Sequence, residues 1–149
     1  MTQTGDMAAD RSPHLLNDVH RGILKLTRGR VGWRAYGMPM LELTTIGRKS
    51  GEKRTTMLSS PMQRGDAIVV VASRGGDDRH PAWYLNIVDD PSVEVNFKGQ
   101  GTLPMRAHVA DAKERAELWP LVTRDHPHYA GYQRKTDREI PLVLLEPVA

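Results

Sequence analysis

The segment from Thr44 to Leu58 (TTIGRKSGEKRTTML) carries four cationic side chains within seven residues. These side chains are Arg48, Lys49, Lys53 and Arg54. Its two glycines allow backbone N–H groups to point at a ligand, and a guanidinium group can bind a phosphate or carboxylate through two N–H donors. Strand-forming residues lie on both sides, so the segment is either a well-solvated hairpin tip or a turn that binds an anion.

A second turn with similar chemistry follows the apolar run AIVVVA. Residues 73–76 (SRGG) offer a hydroxyl group, a guanidinium group and two glycine amides. Either turn alone is typical of ordinary surface structure, but two such turns, each at the end of a predicted strand, indicate one elongated anionic ligand. The neighbouring pair Trp83 and Tyr84 could cover a planar ring, and core packing is the alternative for Trp83.

The motifs of several other chemistries are missing. GRKSG lacks the spacing of a P-loop, no G-x-G-x-x-G follows a strand, and no G-x-S-x-G occurs. The six histidines do not have metal-ligand spacing, so no metal site is predicted. The chain has no cysteine, which excludes disulfides, thiolate metal sites and a cysteine nucleophile.

The composition is that of an ordinary soluble domain: 149 residues, 39% hydrophobic and 26% charged. The net charge of +3 is uneven, because residues 1–60 hold ten Lys/Arg against five Asp/Glu. This charge could attract nucleic acid, an anionic membrane surface or a phosphorylated small molecule. Aromatic residues are few and mostly follow residue 80, which disfavours nucleic acid as a partner. Without a signal peptide or a membrane span, we expect a cytoplasmic protein.

The elements that must position these turns alternate in an order typical of an antiparallel barrel. Residues 1–13 are predicted to be a mobile N-terminal arm, and 14–149 a single domain that begins with a helix over 14–30. That helix is basic and amphipathic, so it either packs on the domain or contacts a membrane surface. About six strands are predicted at 40–46, 55–63, 67–72, 93–97, 103–109 and 140–145. Helices are predicted within 81–90, from 111 to about 124 and over 129–138, with Pro120 expected to kink or shorten the second.

Three segments together resemble the deazaflavin-dependent nitroreductase family of actinobacteria, whose members are split β-barrel proteins that use coenzyme F420. The segments are LTTIGRKSGEKRTT, VVVASRGGDDRHPAWYLN and WPLVTRDHPHYAGYQRKTDREIPLVLLEP, which occur in this order within residues 38–147. The resemblance implies a mainly β fold with helices (α+β), a split β-barrel similar to the FMN-binding ones. It also implies a planar coenzyme with an anionic tail, the kind of ligand that the two turns indicate.

The resemblance also implies roles for individual residues. Contacts to the coenzyme phosphate and tail are expected from Arg48, Lys49 and Arg54, and contacts nearer the ring and ribityl chain from Ser73, Arg74, Gly75, Trp83 and Asn86. On the substrate side the candidates are Tyr129 and Tyr132, with Ser73 as a hydrogen-bond partner. His126 is a second candidate proton source.

The expected function is an F420-dependent oxidoreductase that transfers a hydride from the reduced deazaflavin to a hydrophobic acceptor. A quinone, an enone and a nitroaromatic compound are the implied acceptors, and the protein is expected to be a monomer or a homodimer. Three alternatives stay open, one of them a non-catalytic module that binds nucleic acid. The barrel could bind FMN or haem instead, or the protein could be a carrier that stores the deazaflavin without catalysis.

Overall fold

The computed structural model describes residues 33–35 and 37–148. The predicted arm at 1–13 and the predicted helix at 14–30 lie outside the described residues. The strands are β1 (Arg34–Ala35), β2 (Met38–Ile46), β3 (Lys53–Ser59), β4 (Met62–Arg64), β5 (Ala67–Val71), β6 (Ser92–Phe97), β7 (Thr102–Val109) and β8 (Leu142–Pro147). The helices are α1 (Ala82–Asp89), α2 (Ala112–Asp125) and α3 (His128–Arg134), and a 3₁₀ turn spans Arg74–Gly76.

The eight strands form one antiparallel sheet that is curled into a barrel. The strand order is β1-β2-β6-β7-β8-β5-β4, and β3 also pairs with β2. Strands β3 and β4 therefore border opposite parts of the sheet, yet only Ser60 and Pro61 separate them in the chain. Because two residues span only a few ångströms, the sheet must curl until these two parts meet. The predicted antiparallel barrel with appended helices is confirmed.

The corner between β3 and β4 is held by Ser60, which is fully buried. Its N–H donates to the carbonyl oxygen of Pro39 at 2.9 Å. Its hydroxyl group lies 2.7 Å from the carbonyl oxygen of Val69 and 2.9 Å from that of Met62, and it accepts from Gln63 Nε2 at 3.0 Å. Ser60 thus joins β2 to β5 across the corner. The sequence predicted one strand over 55–63, and this corner divides it into β3 and β4.

Replacing Ser60 with alanine is expected to lower the free energy of unfolding by about 1–3 kcal/mol, because buried polar groups lose their partner. Urea unfolding of the variant checks this, with Ser92→Ala as a control at an exposed position. Equal unfolding midpoints for the two variants would show that the corner does not depend on this hydroxyl group.

Side chains on the two faces of the sheet build two large cores, and Trp33, Met40 and Met57 form a third, small cluster. The inner face packs alternating strand residues such as Leu43, Val70 and Val143 against Trp83 and Ile87 of α1. The outer face is covered by α2 and α3, which contribute Leu118, Val122 and Tyr129 against Val69, Val71, Leu142 and Leu144. Continuous burial of β5 and β8 follows from this arrangement, since both of their faces are covered.

The expected shortening of one helix at Pro120 and the predicted end of another helix differ from the structure. Helix α2 begins at the predicted capping box of Asp111 and Glu114, but it continues to Asp125, past Pro120. Pro120 cannot donate to the carbonyl oxygen of Ala116, and because both residues are exposed, water can satisfy that carbonyl. Helix α3 ends at Arg134, four residues before its predicted end. Among the described residues, no helix has the length and apolar character needed to cross a membrane.

Candidate cofactor-binding site

The two candidate anion-binding turns lie at the same end of the barrel. Between β2 and β5 the sheet contains four consecutive antiparallel pairings, through β6, β7 and β8. An even number of antiparallel steps gives β2 and β5 the same direction, so their C-terminal ends emerge together. The turn at 47–52 follows β2, and the turn at 73–76 follows β5. The expectation that both turns serve one ligand is therefore compatible with the topology.

The sheet is open between these two turns. In the described part of the chain, β3 pairs only with β2, and β4 covers β5 only over Ala67–Val69. Beyond the Ser60 corner, β3 and the end of β5 are not hydrogen-bonded to each other. The unpaired parts of these edges, the start of β3 and the end of β5, lie toward the end of the barrel that carries both turns. These unpaired edges are where the barrel is split.

The first turn is a rigid backbone loop. The N–H of Gly47 donates to the carbonyl oxygen of Glu52, and the N–H of Gly51 donates to that of Gly47, both at 2.8 Å. A Cβ atom on residue 47 would lie 2.7 Å from Ser50 Oγ, and residue 51 has a φ of +75°. Residue 51 therefore favours glycine for its backbone conformation, whereas a Cβ at residue 47 would displace the Ser50 hydroxyl group.

The cations of this turn differ in what surrounds them. Arg48 and Lys49 are exposed, and their side chains have no hydrogen bond or ion pair within the described residues. Arg54 is exposed, contacts Ser50 Oγ at 3.3 Å and lies 3.9 Å from Glu52 Oε1. Lys53 forms an ion pair with Glu94 at 3.3 Å. The three cations predicted to contact the coenzyme are thus accessible to an anion, whereas the charge of Lys53 is partly neutralised.

Asn86 fastens the first turn to helix α1. The side chain is 5% exposed. Its amide nitrogen donates to Thr45 Oγ1 at 3.0 Å, and its amide oxygen accepts from the N–H of Arg48 at 3.1 Å. These bonds position the turn, so Asn86 has a structural role at the site. The predicted contact between Asn86 and the coenzyme stays a prediction.

The second turn has a left-handed backbone. Arg74, Gly75 and Gly76 have φ angles of +46°, +65° and +87°. The Gly76 N–H donates to the carbonyl oxygen of Ser73 at 2.9 Å, so it is not available to a ligand as the sequence suggested. Ser73 is buried, and Arg74 Nε lies 3.3 Å from Asp77 Oδ2. The turn offers a positive charge held beside a carboxylate.

The aromatic residues after this turn belong to the inner core. Trp83 is buried there, and its indole N–H has no hydrogen-bond partner among the described residues. Tyr84 is half-buried and stacks on His80, with ring centroids 4.6 Å apart. Burial lowers the pKa of His80 and raises the pKa of Tyr84. The sequence left two interpretations of Trp83, a cover for a planar ring and core packing, and its position matches core packing. Its unpaired indole N–H is a donor that a polar ligand could use.

The two candidate tyrosines occupy different environments. Tyr129 is 6% exposed, and its hydroxyl group points at Met38 Sδ, 3.7 Å away. Burial raises its pKa well above the usual range, so it holds its proton firmly. Tyr132 is half-buried, and its ring lies near His128 and Lys135 Nζ. Its position leaves Tyr132 as the better candidate to contact a substrate, whereas Tyr129 packs α3 onto the sheet.

Helix α3 also contacts the second turn directly. A Cβ atom on residue 76 would lie 2.7 Å from the backbone carbonyl oxygen of Tyr132. His126 precedes α3, and its ring lies 6.5 Å from that of Tyr129 and 6.2 Å from that of His128, measured between centroids. The predicted substrate-side residues therefore form one aromatic cluster around α3.

The sequence did not indicate the role of Arg138, whose side chain contacts the segment 72–80 around the second turn. Its guanidinium group donates to the carbonyl oxygens of Asp77 and Ser73, both at 2.8 Å, and of Ala72 at 3.2 Å. It also lies 3.1 Å from His80 Nδ1. Burial lowers the pKa of Arg138, and the nearby carboxylates partly offset this effect. The sequence gives little signal for these contacts, because they join positions about sixty residues apart.

Within the described residues, no group of three or more His, Asp or Glu side chains could hold a metal ion. The prediction of no metal site concerns the whole chain and stays a prediction.

The barrel, its split and the two basic turns at one end define a split β-barrel protein. A family model described as F420H(2)-dependent quinone reductase matches residues 18–147, and the chain belongs to this family. The predicted deazaflavin-dependent family is thereby confirmed. The family's description names quinone reduction, which is among the activities that the resemblance implied.

Individual relatives agree with this assignment. A Mycobacterium tuberculosis protein named an F420H(2)-dependent quinone reductase is 40% identical over 133 residues, which is 85% of this chain and 87% of the relative. A solved structure of an F420-H2 dependent reductase (FDR-A) is 40% identical, with a TM-score of 0.62 over 72% of this chain and 94% of the other. Another, described as a domain-swapped dimer, is 38% identical, with a TM-score of 0.66 over 87% and 98%.

Proposed function

We propose that this protein transfers a hydride from reduced coenzyme F420 to a quinone. The observation that carries the proposal is the pair of basic turns at one open end of the barrel, with the side chains of Arg48 and Lys49 exposed. The family description and the relatives' names support the same activity. A coenzyme with a planar ring and an anionic tail fits this arrangement, because one end of such a molecule needs cations and the other needs apolar surface.

The residues present fit the coenzyme at both of its ends. We assign the anionic tail and phosphate to Arg48, Lys49 and Arg54, which are exposed. The guanidinium groups can bind a phosphate or carboxylate through two N–H donors, and the lysine ammonium acts as a compact positive charge. We assign the polar part near the ring to Ser73, Arg74 and Gly75 of the second turn, with the orphan indole N–H of Trp83 as a further donor. Asn86 acts by holding the first turn in place.

When bound, the coenzyme supplies a two-electron hydride donor, because carbon at ring position 5 disfavours single-electron steps. The chain's own task is to orient the acceptor, exclude water and stabilise negative charge that develops on the acceptor oxygen. We assign that last role to the hydroxyl group of Tyr132, with Ser73 as a second donor. A phenol donates a hydrogen bond well at neutral pH because its pKa is about 10.

Tyr132→Phe is expected to lower kcat for quinone reduction about a hundredfold, the size expected for one lost donor to developing charge. Tyr129→Phe is the matched control. Within the described residues, the Tyr129 hydroxyl group contacts only Met38 Sδ, so kcat should change little when it is removed. Steady-state kinetics with reduced coenzyme F420 check both variants. The assignment fails if Tyr129→Phe loses the activity and Tyr132→Phe keeps it.

The activity itself is tested by mixing the purified protein with reduced coenzyme F420 and a panel of quinones, enones and nitroaromatic compounds. We expect quinone-dependent oxidation of the coenzyme. Binding of the coenzyme without turnover of any acceptor would favour the carrier alternative. A flavin or haem spectrum in the purified protein, without affinity for coenzyme F420, would favour the other alternative.

A hydrophobic quinone acceptor also supports a proposal about location. We propose that the protein acts in the cytoplasm and that its basic segment at 14–30 brings it to an anionic membrane surface, where such acceptors concentrate. As for assembly, the related structure described as a domain-swapped dimer supports a homodimer over a monomer. Light scattering of the purified protein distinguishes the two states.

A further inference from the structure

A half-buried guanidinium group lies between helix α3 and the segment that carries the second turn. Arg138 uses four of its five N–H donors on this segment: three on backbone carbonyl oxygens of Ala72, Ser73 and Asp77, and one on His80 Nδ1. The three carbonyls lie on both sides of the left-handed residues 74–76. One planar group therefore fixes the chain where it enters and leaves the turn.

The same contact determines which nitrogen of His80 carries the proton. A guanidinium nitrogen can only donate, so His80 Nδ1 must accept, and the proton of the neutral ring lies on Nε2. The neutral form is favoured because burial and the charge of Arg138 both lower the pKa of His80. The ring is further restrained by stacking on Tyr84. His80 consequently keeps one N–H donor in a fixed direction.

The groups around Arg138 explain why it stays beside this segment. The carboxylates of Asp77 and Asp78 raise the pKa of Arg138, whereas burial and the charge of Arg74 lower it. Asp78 in turn accepts from Thr136 Oγ1 at 2.7 Å, which ties the same loop to the residues before Arg138. Two residues of the chain that follows α3, Thr136 and Arg138, thus hold the segment around the second turn.

We propose that Arg138 is a positioning residue for the coenzyme: it fixes the backbone of the turn at 73–76 and sets His80 as the Nε2–H tautomer, so that both are presented to the coenzyme. This inference rests on the proposed function, because it assigns a ligand to the turn. Arg138 acts through the segment and the imidazole, and lysine cannot replace it. A lysine ammonium group has three N–H donors on a single nitrogen. It cannot reach four acceptors that are placed around a planar guanidinium group.

A second half-buried arginine in the same region provides the matched control. Arg115 donates to the carbonyl oxygen of Ile140 at 2.9 Å and to Gln133 Oε1 at 3.0 Å, and it lies over the ring of Trp119. These contacts stabilise the loop between α3 and β8 from the other side. Within the described residues, none of these contacts reaches the second turn directly, although Gln133 donates to the carbonyl oxygen of Arg138 at 2.7 Å. Arg115→Lys therefore reports the cost of losing a half-buried guanidinium beside Arg138 while the bonds from Arg138 to the turn are kept.

The experiment compares Arg138→Lys with Arg115→Lys in three measurements on the full chain. Thermal unfolding should show similar losses for both. Titration with coenzyme F420 should give a dissociation constant raised about tenfold for Arg138→Lys and less than about twofold for Arg115→Lys, as expected for lost bonds to a charged donor that orders the site. NMR of ¹⁵N-labelled histidine should show the Nε2–H tautomer of His80 in the wild type and its loss in Arg138→Lys.

Each outcome is decisive. Equal changes in the dissociation constant for both variants, or an Nδ1–H tautomer of His80 in the wild type, would overturn the inference. If Arg138→Lys does not fold, His80→Gln replaces it, and unchanged coenzyme binding in that variant is the contrary result. A wild-type protein that does not bind coenzyme F420 contradicts the proposed function instead, and the tautomer measurement then still tests the contact between Arg138 and His80.

Discussion

Alanine at both position 48 and position 54 is expected to raise the dissociation constant of coenzyme F420 about a hundredfold, because each hydrogen bond to a charged group contributes about 1.5 kcal/mol or more. The free energy of unfolding should change little. Arg48 is exposed without a side-chain partner in the described chain, and Arg54 makes only exposed contacts within its own turn. Fluorescence titration of the coenzyme measures the affinity.

A control must distinguish direct contacts with the coenzyme from the loss of positive charge, since removing any two cations weakens the attraction for an anion. Lys53→Ala combined with Arg64→Ala removes the same charge, but those side chains pair with Glu94 and Glu117 at 3.3 Å each. This control should raise the dissociation constant only a few-fold, and 0.5 M salt should remove most of its effect. If the two double variants weaken binding equally at high salt, the turn does not contact the coenzyme.

The sequence predicted those parts of the site that depend on neighbouring residues. Both turns lie where glycine spacing and strand patterns put them, and the capping box of α2 begins where its signature predicts. The residue pattern over 55–63 is that of one continuous strand, so it could not indicate the corner at Ser60. The break between β3 and β4 depends on the hydrogen bond from Ser60 to Val69. Period-two and helical patterns describe local structure, and a corner forms from a contact between strands.

The remaining parts of the site depend on contacts between distant positions. Asn86 resembled a coenzyme contact, but its bonds to Thr45 and Arg48 cross about forty residues of sequence. Tyr129 and Tyr132 lie three residues apart on one helix, so spacing alone assigns them to the same face. Only their depth distinguishes them: one hydroxyl group is directed into the core, and the other residue lies partly at the surface beside the second turn.

The close approach of α3 to the second turn makes Gly76 the most sensitive position of the site. Gly76→Ala is expected to lower the free energy of unfolding by about 3 kcal/mol, because it combines an unfavourable left-handed backbone with a clash. The new Cβ atom would lie 2.7 Å from the carbonyl oxygen of Tyr132, which is backbone and cannot rotate away. Urea unfolding measures the loss.

Gly75→Ala separates the two causes, because residue 75 has a φ of +65° and no atom lies within 4 Å of its Cβ position. It should cost only about 1 kcal/mol, the penalty for a left-handed alanine. Relief of the clash at residue 76 must displace α3, which carries Tyr132, relative to the turn. Gly76→Ala should therefore reduce kcat for quinone reduction in the molecules that remain folded, whereas Gly75→Ala should change it less. Equal losses of stability and kcat in both variants would mean that backbone strain alone matters and that α3 does not need its present distance from the turn.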